Sequence, residues 1–243
     1  MLLIYCLHGD EIITEKIAKQ LNKKYGINIL LGNPEARNKQ IRFSESDLNR
    51  SFNKRGTQES QRAKELKQIL SKRNEDIIID LHTTTAKMPP IGIITNLKQL
   101  KLASRLGVEN LILMNDRFST GGSLIENIPN SISLEIYPDK KSIKDAKRMI
   151  LNSRNPEMKL KSFNIYEIIS SVKIESVEKD ITNLQELNDG HYPVFYGEKA
   201  YKDIAYLKAR KKVITLQINQ KKKKIIYLSG IKNKNNQIKL YLI

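Results

Sequence analysis

Short, uninterrupted apolar runs alternating with amphipathic stretches constrain this chain most. "LLIYCL" (2–7) and "DIIIDLH" (76–82) are too short for buried helices and read as buried strands, and "INILLG" (27–32), "IGIIT" (91–95), "NLILM" (110–114) and "SISLEIY" (131–137) read as further strands. Between them lie stretches of helical period. Ile12, Ile13, Ile17 and Leu21 share one stripe of a helix predicted over 11–24, with Asp10 as its N-cap and Gly26 as its stop. Further helices fit 58–73, 97–107 and 140–153, while the polar segment 33–57 shows no clean period. Strands that alternate with helices predict a largely parallel sheet covered on both faces. After about Asn155 the texture changes to alternation in twos, as in "FNIYEIISSVKIESV" and "AYLKARKKVITLQI". The expected organisation is therefore a main α/β domain over 1–155 and a small β-rich C-terminal domain over 156–243.

Charge and cysteine content narrow the functional classes. The 243 residues hold 43 Lys and Arg against 26 Asp and Glu, a formal charge of +17 that admits a polyanionic partner. The lysines are spread along the chain, however, and the densest run, "QKKKKII" at 220–226, has no interleaved aromatic residues on which bases could stack. Nucleic acid is thus the weaker reading of the charge. Cys6 is the single cysteine, which excludes an intrachain disulfide, fits a reducing compartment and reads as a buried inert thiol. The first apolar run is not preceded by a basic region and is interrupted by His8, Asp10 and Glu11, so it predicts neither a signal peptide nor a membrane span. A soluble cytoplasmic protein is expected, with a homodimer left open.

Two of only three histidines, His8 and His82, stand where strong predicted strands end. Ligands of open α/β sheets gather at such ends. His8 and Glu11 are three residues apart and His82 follows 71 residues later, a close pair plus a distant partner. Two imidazoles and a carboxylate can make a catalytic zinc site with one position left for water. Taken singly, His8 reads as a hydrogen-bonded turn residue, Glu11 as a favourable charge at a helix N-terminus, and His82 as core. Asp80, two residues before His82 and on the same face of its strand, either orients a ligand or simply pairs with a lysine. The polar segment "NPEARNKQIRFSESDLNRSF" is rich in arginine and amide groups suited to gripping carboxylates, or else to local salt bridges. His191, in the turn-like "NDGHYP", reads as a surface residue.

Taken in order, "HGDE", "GNPEAR", "RFSESDLNRSF" and "DLHTTT" resemble the succinylglutamate desuccinylase/aspartoacylase family of zinc carboxypeptidase-like metallohydrolases, and "YPVFYGEKAY" resembles that family's late tyrosine-containing segment. The resemblance implies a mixed, largely parallel sheet flanked by helices, one zinc ion per chain and a small N-acylated carboxylate as substrate. It implies that His8, Glu11 and His82 are the metal ligands and that Glu135 is the general base toward water on the zinc. Arg42 would polarise the scissile carbonyl, Asn49 and Arg50 would hold a substrate carboxylate, and Tyr201 would contact substrate. The implied activity is zinc-dependent amide hydrolysis of an N-acyl amino acid.

Two departures bear on that activity. Asp10 stands where many members of the family have asparagine. The segment before Glu135, "TGGSLIENIPNSIS", lacks the arginine with which some aspartoacylases bind a second substrate carboxylate, and Arg117 is the nearest substitute in sequence. The alternatives are a carboxypeptidase- or esterase-type hydrolase on the same scaffold, a relative that keeps zinc only for structure, and a basic nucleic-acid-binding protein.

Overall fold

The computed structural model describes residues 1–114, 121–157, 162–176, 181–219, 224–232 and 238–242, with side chains to residue 216. Arg117 and the side chains of the lysine run at 220–226 lie outside the described residues. The chain begins as predicted: strand β1 (Leu2–Tyr5), helix α1 (Ile12–Tyr25) and strand β2 (Asn28–Leu31). Gly26 ends α1 in the left-handed region, at φ 66°. Asp10 is not the cap. Glu11 takes that position without a side-chain cap hydrogen bond, because its carboxylate turns toward His8 and His82 instead.

The polar segment contains a helix that its lack of apolar period conceals, α2 (Pro34–Lys39). Proline at the first turn and the Asn33 side chain, which accepts from Ala36 N, set its start. A single 3-10 turn, Leu48–Arg50, follows, capped by Asp47, which accepts from Asn49 N. Then come α3 (Gln58–Ser71), β3 (Ile78–Thr83), β4 (Ile91–Ile94), α4 (Leu100–Leu106), β5 (Asn110–Leu113), the four-residue α5 (Leu124–Asn127), β6 (Ser131–Ile136) and α6 (Lys140–Asn152). The strands β7 (Ser162–Lys173), β8 (Tyr192–Val194), β9 (Ile204–Asn219), β10 (Lys224–Lys232) and β11 (Ile238–Leu242) follow, with a 3-10 turn, Ile174–Ser176, after β7.

Among the described residues these strands form one sheet, ordered β11-β10-β9-β7-β5-β4-β6-β3-β1-β2, with β8 attached to β9. β1 pairs in parallel with β2 and β3, and β3 with β6. β4 runs antiparallel to β6, so the sheet is mixed. The β-rich part joins this sheet through β7, which pairs in parallel with β5, and then continues antiparallel.

Side-chain alternation sends apolar residues to both faces of the sheet. Leu3, Ile79, Leu81, Ile132 and Leu134 face α1, α4 and α6, packing on Ile17, Leu21, Leu106, Ala146 and Ile150. Leu2, Ile4 and Ile78 face the other way, against Leu66 of α3 and Leu124 and Ile125 of α5. Asp80, His82, Ser133 and Glu135 share this second face. No helix among the described residues is long and apolar enough to cross a membrane.

Candidate metal centre

His8 lies three residues past the end of β1 and is held there by a close backbone approach. Gly9 N donates to Arg42 O at 3.1 Å. A Cβ on Gly9 would come within 2.1 Å of the Ala36 carbonyl carbon, so only glycine lets this loop lie against α2. His82 sits near the end of β3, and its cross-strand neighbour on β6 is Glu135. The rings of His8 and His82 stand 5.0 Å apart between centroids.

Each imidazole faces Glu11 with one nitrogen and an aspartate with the other. His8 Nδ1 lies 3.0 Å from Glu11 Oε1, and His82 Nδ1 lies 3.2 Å from Glu11 Oε2. On the far sides, His8 Nε2 lies 3.0 Å from Asp47 Oδ1 and His82 Nε2 lies 2.8 Å from Asp80 Oδ2. Ser133 Oγ also donates to Asp80 Oδ2, at 3.1 Å. One ligand atom from each of His8, Glu11 and His82 falls within 4.8 Å of the others, and all three residues are buried.

The donor set fits a divalent cation. A carboxylate on Nε2 selects the tautomer with the proton there and leaves the Nδ1 lone pair directed at Glu11. Two lone pairs and a carboxylate pointing at one another repel unless protons or a cation lie between them. Glu11 Oε2 is buried and accepts no hydrogen bond, which agrees with a ligand oxygen turned inward. In the metal-free chain, burial opposes ionisation of Glu11 but the two imidazoles override it and lower its pKa from 4.5 to about 2. Burial likewise disfavours the His82 imidazolium, yet Asp80 and Glu11 raise its pKa well above 6.5.

The three residues open onto a cavity of about 440 Å³ that Arg42, Asn49, Arg50, Glu135 and Tyr201 also line. The eight residues to which the resemblance gave roles thus line one cavity. Glu135 Oε2 is sealed from solvent without a hydrogen-bond partner. Burial, opposed by His82 and reinforced by the charges of Glu11 and Glu198, raises the Glu135 pKa from 4.5 to about 7. Arg42 reaches Asp47 Oδ2 at 3.4 Å, which links it to His8 through one carboxylate. Arg50 donates from Nη1 to Asn49 O at 2.8 Å, and Asn49 Oδ1 accepts from Leu124 N at 2.9 Å. Burial, eased by Arg50, pushes the Tyr201 phenol up to about 12. His191 sits beside Asp189 in the predicted surface turn, away from the cavity.

Glu198 was not singled out in the sequence, although it lies in the tyrosine-containing segment. Its carboxylate accepts from Thr84 Oγ1 at 2.6 Å and Thr85 N at 2.9 Å through Oε2, and from Ala200 N at 2.9 Å through Oε1. It therefore binds the Tyr201 segment to the stretch directly after His82. Asp47 also went unassigned, and its N-capping position just before Asn49 was the available sign.

The sheet and its flanking helices form a zinc carboxypeptidase-like fold. Murine aminoacylase 3 superposes with a TM-score of 0.69 at 24% identity, over 88% of this chain and 95% of that one. The succinylglutamate desuccinylase from Chromobacterium violaceum superposes with a TM-score of 0.60 at 17% identity, over 86% and 83%. Residues 1–135 match the family described as the succinylglutamate desuccinylase/aspartoacylase catalytic domain, and the chain belongs to that family. Among curated relatives it is similar to a probable aspartoacylase from Acaryochloris marina, 34% identical over 37% of this chain and 36% of the relative. It is also similar to one from Prochlorococcus marinus, 29% identical over 69% and 65%. These matches span between 36% and 65% of the relatives' own length.

Proposed function

We propose that this protein is a zinc-dependent amidohydrolase that cleaves the amide bond of an N-acyl amino acid or a similar small carboxylate. The observation that supports it is the meeting of His8, Glu11 and His82 in a cavity that also holds Glu135 and two guanidinium groups. These three side chains would hold one zinc ion per chain, which when bound supplies Lewis-acid activation of water and of a carbonyl near neutral pH. Asp47 and Asp80 keep the two imidazoles in the ligating tautomer.

Glu135 takes the proton of the attacking water and returns it to the departing amine, a role suited to a carboxylate whose buried Oε2 has no other hydrogen-bond partner. Arg42 offers its guanidinium to the carbonyl oxygen as negative charge develops there. Asn49 and Arg50 hold the substrate carboxylate. The hydrogen bond from Leu124 N occupies Asn49 Oδ1 and leaves the amide NH2 as the donor. Tyr201, protonated at any physiological pH, donates to substrate from the segment after β8. In this reading residues 1–155 carry the catalytic unit, and the β-rich unit over 156–243 closes the cavity with Phe195, Glu198 and Tyr201. The buried, single Cys6 suits a cytoplasmic setting.

Amine release from a panel of N-acetyl and N-succinyl amino acids, with zinc and with a chelator, tests the reading. Zinc-dependent release that Glu135→Gln abolishes is the expected result. Release unaffected by the chelator or by that substitution contradicts it.

A further inference from the structure

Part of the cavity wall is apolar: Ile93 on β4, Met114 just past β5, Ile125 on α5 and Phe195 after β8 line the cavity, with Met114 and Ile93 packed against the cluster that holds Phe195 and Ile93 also against the cluster that holds Ile125. Ile93 is the cross-strand neighbour of Ser133, two residues before Glu135, so the apolar wall begins beside the proposed base. Ile125 and Phe195 are buried, and Ile93 and Met114 half-buried.

The turn carrying Asn49 and Arg50 is fastened to the segment carrying Ile125. Leu124 N donates to Asn49 Oδ1 at 2.9 Å, and Phe52 N donates to Gly122 O at 3.0 Å. A Cβ on Gly122 would lie 2.6 Å from Arg50 O, so the two segments touch through backbone. The grip that Asn49 and Arg50 offer a carboxylate is therefore tied to the segment that carries Ile125. Besides Arg42 and Arg50, the arginine or lysine among the described lining residues is Lys202, exposed on the Tyr201 segment. Beside Ile125 stands Glu126, whose carboxylate accepts from Gly121 N, Ser123 N and Ser123 Oγ.

We propose that Ile93, Met114, Ile125 and Phe195 form the pocket for the amino acid's side chain. Ile125 sets its specificity, and the substrates are N-acyl derivatives of apolar, uncharged amino acids rather than of dicarboxylic ones. This rests on the deacylase reading above. An apolar side chain gains by leaving water for this wall. A second carboxylate would lose its hydration against these four side chains, which offer it no donor, and meet the charge of Glu126.

The test measures kcat/KM for N-acetyl-leucine, N-acetylmethionine and N-acetylaspartate on the zinc-loaded protein. In parallel, calorimetry measures binding of the free amino acids leucine and aspartate, with and without zinc. The expected result is a preference of at least about 100-fold for the apolar substrates, with the same order in binding. Ile125→Arg is expected to narrow that ratio at least about tenfold, chiefly through KM, with Met114→Ala as a milder second variant that shifts preference toward longer side chains. Thermal unfolding checks that both variants fold. Preference for N-acetylaspartate, most decisively one abolished by Arg117→Ala, overturns the proposal and leaves the deacylase reading standing. Selective leucine binding without hydrolysis of any substrate overturns the deacylase reading and leaves the pocket standing. Equal binding of leucine and aspartate, or of neither, overturns the pocket.

Discussion

Replacing Glu135 by glutamine should stabilise the metal-free protein while removing its activity, and the gain should depend on pH in a defined direction. The folded chain raises this carboxyl from 4.5 to about 7, chiefly by burial. An acid with a raised folded-state pKa ionises first in the unfolded chain. Between about pH 4.5 and 7 the unfolded state then binds fewer protons than the folded one, so stability falls as pH rises. Above pH 7, where both states are ionised, the loss is complete. A tenfold change in a proton equilibrium is about 1.4 kcal/mol, which makes the full loss about 3 kcal/mol. Glutamine keeps the shape without the proton equilibrium. Urea unfolding of parent and Glu135→Gln, both metal-free, should therefore coincide near pH 4 and separate by about 3 kcal/mol at pH 8, with the variant more stable. For a chain of this size that gap corresponds to a Tm higher by about 6–12 °C. A variant no more stable than the parent at pH 8, or a gap of the same size at pH 4, would refute the reasoning.

Further predictions follow from the same contacts. Asp80→Asn and Asp47→Asn, which remove the carboxylates behind His82 and His8, should each weaken zinc binding by about 10–100-fold in chelator competition. Because Asp80 is fully buried, its variant should also unfold at lower temperature. Gly9→Ala, whose new Cβ would overlap the Ala36 carbonyl, should cost about 1–3 kcal/mol in urea unfolding and weaken zinc binding together. Arg50→Ala should raise KM by about 10-fold or more with a smaller effect on kcat, since it removes a ground-state grip on the carboxylate. Steady-state kinetics on an N-acyl amino acid checks that split.

How much of this was legible in the sequence depended on the range of the interaction. Continuous apolar runs and 3.6-residue stripes located β1 to β6 and the helices α1, α3, α4 and α6, because burial writes those periods locally. Strand direction leaves no such trace, so the antiparallel setting of β4 was invisible. α2 was hidden because its start is set by Asn33 and Pro34 rather than by an apolar face, and four-residue α5 is too short to show a period. Asp10 looked like a cap by type, but the loop spends the next residue, Glu11, on the two histidines. The attachment of the β-rich part to the main sheet rests on the pairing of β7 with β5, which sequence texture does not encode. Within the site, His8, Glu11 and His82 stood out because histidine is rare here and falls at strand ends. Asp47 and Glu198 did not, since each acts through partners 39 or 114 residues away.

Metal analysis of the purified protein bears most directly on the central claim. The account predicts one zinc per chain, reduced to none in His82→Ala and in Glu11→Ala variants that remain folded by circular dichroism. A parent chain that takes up no zinc, or folded variants that retain the full complement, would contradict it.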